Sequence, residues 1–432
     1  MVTQCRRRLS GRRLLDSGRI CFGLLGVRMS GRTPGPGVGA DDVTPKAPEV
    51  TVVTQCASTK RTCYALLLFC GLGGAPLRAD WPMLSHDPAR SGVSDGPGPA
   101  ALQPQWAVPL GGRLDSSPAV VGGVVYVGSS SGVLYAVAAD SGQTKWQAPL
   151  GGSIVSSPCV SGGRVFVGST DGFFTALDAA SGKVAWRRQM RSPVVASALS
   201  ADGVVYLAAT AGDVCALREA DGADVWRAQA PARLMASPAL ANGRLYIGDL
   251  SSLLHAYDAK TGEHLWKADA AGWVVATPSV SGETVLFGCQ DMEHVDDGPR
   301  LYAVDAASGE QRWLSGPGRG SVFTAPVFAN GMTYLPAVAN KYPPYQPLLM
   351  ALDVASGEAK WKQAIGAMAI ASPAVAGNQV FVATLPGLLY AFQADTGKPI
   401  LRFDAHAPIA ASPAVDGGHL YIGAGDGKLY CF

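Results

Sequence analysis

An all-β fold, an eight-bladed β-propeller of four-stranded antiparallel blades, is predicted by three features of the sequence. Trp stands at 106, 146, 186, 226 and 266, each 40 residues from the last, then at 313 and 361, after which Leu401 takes the same place. A second marker, a small residue before Pro, recurs at Ser117-Pro118, Ser157-Pro158, Ser237-Pro238, Thr277-Pro278, Ala325-Pro326, Ser372-Pro373 and Ser412-Pro413, with Ser197-Ala198 as the one variant. Each marker occupies eight positions, which sets the blade count. Composition is the third feature: 53 Gly in 432 residues, and apolar runs bounded by Gly such as Val124-Val125-Tyr126-Val127-Gly128, describe many short strands joined by tight turns.

The elements of one unit follow from local chemistry. Ser157-Pro158-Cys159-Val160 opens an inner strand, where Pro is tolerated because it begins the strand. Gly162-Gly163 turns it, and Arg164 to Gly168 is a second strand with an aromatic at its centre. Gly172 to Leu177 makes the third, and Asp178-Ala179-Ala180-Ser181-Gly182 forms a turn whose Asp caps backbone amides and whose Gly accepts a positive φ. Trp186 then lies on the outer strand. Such units cannot bury their faces singly and stack radially into blades. Trp106 has no three strands of its own before it, and the last unit stops at Phe432 after its third strand. The strand around Trp106 is therefore expected to complete the eighth blade and close the ring over residues 101 to 432.

The first 79 residues stand outside this pattern. Residues 1 to 32 are rich in Arg with a single acid, Asp16, and residues 33 to 50 are rich in Pro and Gly; residues 1 to 59 read as a disordered or mis-assigned extension. Lys60-Arg61 precede an apolar run from Tyr64 to Pro76 that ends in small residues, so residues 60 to 79 read as a secretory signal peptide and the chain as periplasmic or secreted. The other reading is a tail followed by a short buried apolar segment. Lipid anchoring at Cys70 is disfavoured, because Phe69 precedes it where a small residue is wanted. Residues 80 to 100 form a lead-in.

Charge and chemistry exclude several classes. The net charge is only +2, with 35 basic and 33 acidic residues, and no basic field for nucleic acid results. Cys159, Cys215, Cys289 and Cys431 fall in different repeats without Cys-x-x-Cys spacing, so neither a disulfide framework nor a zinc site is expected. The six His, at 86, 255, 264, 294, 406 and 419, show no His-x-x-x-His or Ser-His-Asp order and read as solvated. Gly168 to Gly172 and Gly423 to Gly427 join two strands and are blade turns, not phosphate cradles.

The segments Asp258-Ala259-Lys260-Thr261-Gly262-Glu263-His264-Leu265-Trp266 and Asp353-Val354-Ala355-Ser356-Gly357-Glu358-Ala359-Lys360-Trp361 resemble the tryptophan-docking motif of pyrroloquinoline-quinone-like propeller repeats. Trp81-Pro82-Met83, with Asp87-Pro88-Ala89-Arg90-Ser91-Gly92, resembles the lead-in of bacterial propellers of that superfamily. The resemblance implies that Trp106, Trp146, Trp186, Trp226, Trp266, Trp313 and Trp361 pack between blades, with Leu401 the departure. It implies two function classes, quinoprotein dehydrogenases and BamB-type outer-membrane assembly scaffolds. The dehydrogenases hold a quinone under a ring of adjacent cysteines beside a calcium ion. This chain has no Cys-Cys pair, and among the segments leading into the inner strands only Asp115 is acidic.

A non-catalytic scaffold that binds a protein or peptide in the cell envelope is therefore expected, monomeric by itself, without cofactor, metal, nucleic-acid partner or membrane span. The alternatives are a quinone or small-ligand redox protein and a carbohydrate-binding propeller. The fifth and sixth units each gain seven residues between their second and third strands. One added loop carries Asp291, Glu293, His294, Asp296 and Asp297; the other carries Tyr342 and Tyr345 among prolines. Beside Trp273 and Phe323 they are expected to form a docking patch, tolerated insertions being the plainer reading.

Overall fold

A computed structural model describes residues 80–290, 300–315, 321–339 and 346–432. The proposed extension and signal peptide, and the loop residues Asp291, Glu293, His294, Asp296, Asp297, Tyr342 and Tyr345, lie outside the described residues.

Eight four-stranded antiparallel sheets follow one another along the chain, and no helix occurs among the described residues. In the first blade the strands are Ala119–Val121, Val124–Gly128, Val133–Ala138 and Thr144–Pro149, innermost to outermost. Neighbouring blades cover both faces of the middle strands, so these strands are apolar at nearly every position, whereas the outer strands stay largely exposed. Closure is made by Trp106–Pro109, which pairs antiparallel with Lys428–Cys431 in the register Trp106↔Cys431 to Pro109↔Lys428. The eighth sheet is completed by His419–Gly423 and Ala414–Asp416.

The recurrent Trp are inter-blade docks. The ring of Trp146 lies over Gly182 in the turn of the next blade, where φ is +70° and an added Cβ would come within 2.6 Å of the indole. Only Gly satisfies both the left-handed backbone and the close approach. The indole N–H of Trp146 donates to the Ala179 carbonyl at 3.0 Å, and Trp106, Trp186, Trp226, Trp313 and Trp361 repeat the bond in their own blades. Trp266 lies over Gly309, but its buried N–H has no partner among the described residues. Leu401 breaks the series for a physical reason. The blade it faces takes its outer strand from residues 106–109, so the Gly-bearing turn that a Trp would cover is absent there. Phe432 fills that place, its ring 4.8 Å from that of Phe403 and at 70° to it.

The small residue before each Pro forms a belt around the axis. Ser117 N–H donates to Ser157 Oγ at 3.1 Å, Ser157 to Ser197, Ser197 to Ser237, and Ser237 to Thr277. Ala325 N–H donates to Ser372, Ser372 to Ser412, and Ser412 back to Ser117 at 2.8 Å. One link is missing, because Ala325 offers no hydroxyl to Thr277. Ala325→Ser is expected to complete the belt and add about 1 kcal/mol, read as a melting temperature higher by about 1 to 3 °C. A variant that melts at or below the parent temperature would show that the gap is not a lost bond.

The lead-in seals one end of the axis. Carbonyls of Trp81, Pro82, Pro88, Ala89, Ser91 and Gly92 accept the N–H groups of Val120, Val160, Leu240, Val280, Phe328 and Val375 on successive innermost strands, all within 2.9 Å. Val93–Ser94 then pairs parallel with Ala374–Ala376. These bonds cover strand edges that would otherwise be open. The third blade is joined through a side chain instead. Arg90, fully buried, donates from Nη2 to the Ser197 and Ala198 carbonyls at 3.1 and 3.3 Å, from Nε to Pro238 O at 2.9 Å and from Nη1 to Leu84 O at 2.6 Å.

Candidate functional site

Asp80 accepts a hydrogen bond from Gly122, in the turn between the first two strands, so the lead-in occupies the face bearing those turns. The opposite face carries the segments leading into the innermost strands and the connections between second and third strands. There the chain makes a row of isolated bridges, Trp273 to Gln290, Gln290 to Ser321 and Ser321 to Val338. Trp273 and Gln290 exchange both backbone hydrogen bonds, at 3.0 and 2.8 Å. This row ties the bases of the fifth and sixth blades' enlarged connections to one another. Trp273 itself is 39% exposed, and Phe323 is half-buried on the way into the sixth innermost strand.

The mouth on this face is a ring of equivalent positions, one per blade. In each leading segment one residue is locked inward, as Ile154 is against Gly128 and Val194 against Gly168 of the preceding blade, where a Cβ would come within 2.4 Å. The next residue keeps some exposure: Val155, Val195, Met235, Val275, Phe323, Ile370 and Ala410 in seven blades, Asp115 in the first. Met235 and Ile370 are 44% and 38% exposed. The carboxylate of Asp115 is engaged by Arg113 at 3.1 Å. A quinone beside a hard cation needs a converging set of acidic and amide oxygens, and this apolar ring with one paired acid does not fit it. No cluster of three or more His, Cys, Asp or Glu able to hold a metal occurs among the described residues.

A second site corrects the expectation that all the histidines are solvated. His255 is 2% exposed on the third strand of the fourth blade, Leu253–Asp258. Its Nε2 lies 3.1 Å from Oδ2 of the fully buried Asp249, and its Nδ1 lies 3.1 Å from Nε2 of His264. A bulge makes the second contact. Ala256 pairs with Trp266 but Tyr257 pairs with His264, skipping Leu265, which turns His264 onto the face of His255 and Tyr257. Asp249 is fixed by the N–H groups of Ser251 and Leu253 and by the Ser251 hydroxyl. Burial works against its ionisation, but these bonds and His255 outweigh that and hold it below the usual carboxylate range. Burial, with the neighbouring His255 and Lys267, pushes His264 down, and burial with Asp249 pushes the Tyr257 phenol up to about 12. The three rings line a cleft of about 340 Å³ against Ala228 and Pro231 of the third blade. Its sequence signal was a double departure in one repeat: Asp249 stands where other units have Ser129, Ser169 or Ala209, and His255 where they have Tyr135, Thr175 or Cys215.

The four cysteines at 159, 215, 289 and 431 are buried, and among the described residues they form no disulfide. Burial pushes the Cys159 thiol up to about 12, against the pull of the Arg90 guanidinium. No helix among the described residues is long and apolar enough to cross a membrane.

No curated protein matches the chain by sequence. Among solved structures it is similar to BamB from Moraxella catarrhalis, with a TM-score of 0.64 and 20% identity over 76% of this chain and 98% of that one. It is also similar to the quinohemoprotein alcohol dehydrogenase from Comamonas testosteroni, with a TM-score of 0.67 and 16% identity over 82% of this chain and 80% of that one. A europium-containing methanol dehydrogenase aligns with a TM-score of 0.66 and 13% identity over 82% of this chain and 98% of that one. At these identities the likeness is one of fold. A family model described as outer membrane protein assembly factor BamB matches residues 100–237, 210–295, 293–370 and 347–432, and the chain accordingly belongs to that family of pyrroloquinoline-quinone-like eight-bladed propellers.

Proposed function

We propose that this protein is a non-catalytic scaffold of the cell envelope that docks a protein partner of outer-membrane assembly on its open face. The observation that carries this reading is the asymmetry of the two ends of the axis. One end is sealed by the lead-in; the other presents an apolar ring with Met235 and Ile370 exposed and the exposed Trp273 beside it. Apolar and aromatic side chains on a rigid rim supply contact area at low entropic cost, as a peptide or strand partner needs. Family membership agrees with the reading, and so does the poor fit of the mouth to a quinone and its cation. The acidic loop with Asp291, Glu293, His294, Asp296 and Asp297, and the loop with Tyr342 and Tyr345, would extend the patch from Trp273 and Phe323. Export by residues 60 to 79 belongs to the same proposal, and periplasmic location with it.

A photo-crosslinking residue placed at Met235, Trp273 or Ile370 is expected to capture outer-membrane assembly components in intact envelopes, while one at Arg187 on an outer strand is not. Trp273→Ala combined with Met235→Ala should weaken capture about tenfold or more, with the melting temperature nearly unchanged. Equal crosslinking from all four positions, or a bound quinone in the absorbance of the purified protein, would overturn the scaffold reading.

A further inference from the structure

The cleft between the third and fourth blades is lined by none of the residues of that docking face. We propose that it is a binding site for a late first-row divalent metal ion of the Cu²⁺ class, chelated by Nδ1 of His255 and Nε2 of His264. The separation of the two nitrogens is the first argument. They lie 3.1 Å apart, and two imidazole nitrogens at adjacent corners of one ion, each about 2.0 to 2.1 Å from it, are about 2.9 to 3.4 Å apart.

The second argument is what stands behind the ligand. His255 donates Nε2–H to Asp249, which leaves Nδ1 as the lone pair facing the cleft. A carboxylate on the far nitrogen fixes tautomer and ring orientation and raises the basicity of a ligating imidazole. Asp249 is itself held by three further hydrogen bonds, from Ser251 and Leu253, so the orientation is built in. His264 is exposed at the start of the outer strand His264–Asp269, so its ring can turn by the small angle that points both lone pairs at one ion. On binding, the His264 proton moves from Nε2 to Nδ1, and the ring stays neutral. Water in the cleft of about 340 Å³ would complete the coordination.

The chemistry selects the metal. Two neutral imidazoles without thiolate or carboxylate in the inner sphere favour Cu²⁺ over Ni²⁺ and Zn²⁺ by the usual order of divalent affinities, and exclude hard ions that want six or more oxygens. Lys267, in register with His255 across the hairpin, is the cation lining the cleft. Its charge weakens the site without blocking it.

The test uses the full chain, stripped with chelator and titrated with copper sulfate by electron paramagnetic resonance and calorimetry. One Cu²⁺ per chain is expected in this site, with an axial signal split by two imidazole nitrogens. His264→Ala is expected to lower affinity at least tenfold and remove the two-nitrogen pattern in a protein that still folds and melts cooperatively. Asp249→Asn should weaken binding by about 10 to 100-fold, and Lys267→Ala should strengthen it. Copper binding of equal affinity and spectrum in the parent and His264→Ala, or no binding by the parent, would overturn the proposal. If the buried Asp249 variant fails to fold, the His264 variant decides alone.

Discussion

Arg90→Met is expected to lower stability by about 3 to 5 kcal/mol, a fall in melting temperature of about 5 to 10 °C, and to release residues 80–99 to proteases. The guanidinium is fully buried, and burial pushes its pKa down to about 10, so it stays charged at neutral pH. Among the described residues no carboxylate lies within ion-pair distance of it; it is held by four carbonyls, on Leu84, Ser197, Ala198 and Pro238. Methionine fills a similar volume but donates to none of these carbonyls, and a buried acceptor left without a donor costs about 1 to 3 kcal/mol. The same side chain is the lead-in's tie to the third blade, so the seal opens from the middle. Arg90→Lys separates the charge from the fork: lysine can reach one or two of these carbonyls, and an intermediate loss is expected. An Arg90→Met protein with unchanged melting and a protected lead-in would show that the backbone bonds of the other blades suffice.

The repeat was legible because it is imposed by backbone geometry that every blade must satisfy. Trp146 over Gly182, Ser157 in the belt and Asp178 capping the turn at Ser181 recur at a fixed spacing, and periodic residue types reveal periodic contacts. The features used once were not legible. Arg90 looks like any other Arg in a polar lead-in until the segments entering the third and fourth blades are brought against it. His255 and His264 are nine residues apart, a spacing that would place them on opposite faces of a regular hairpin; the bulge at Leu265 brings them together. That bulge recurs in the other blades, at Ala216/Leu217 and Ala303/Val304 for example, but nothing in residue type announces it. The mouth was partly legible. The spacing located its ring, whereas the sealing of the opposite end, which makes the two faces unequal, rests on hydrogen bonds between the lead-in and distant strands.

Removal of residues 428–432 is expected to have the largest effect of any short deletion. The strand Lys428–Cys431 lies between two others, so its loss takes both neighbours with it: among the described residues Trp106–Pro109 has no other partner strand, and His419–Gly423 loses one edge. Leu429, Cys431 and Phe432 are almost wholly buried, and Tyr430 is 6% exposed. Burying the Leu and the two aromatic side chains is worth about 1.5 to 3 kcal/mol each. The backbone bonds lost with them include Gln105 to Cys431 and the exchanged pair between Leu420 and Phe432. The sum approaches the 5 to 15 kcal/mol by which whole domains are stable, so the truncated chain should not hold a closed ring at 25 °C. Its Ser412 to Ser117 belt link, which joins the two ends of the propeller, would then be strained by every opening motion of the first and eighth blades. Loss of a cooperative melting transition, with association through the freed edge of His419–Gly423, is the expected result by calorimetry and light scattering. A peptide spanning residues 427–432, added in trans, should restore part of the transition. A truncated protein that stays monomeric and melts within a few degrees of the parent would mean that the ring is held by the docked Trp and the belt alone, and that the shared eighth blade is not its fastening.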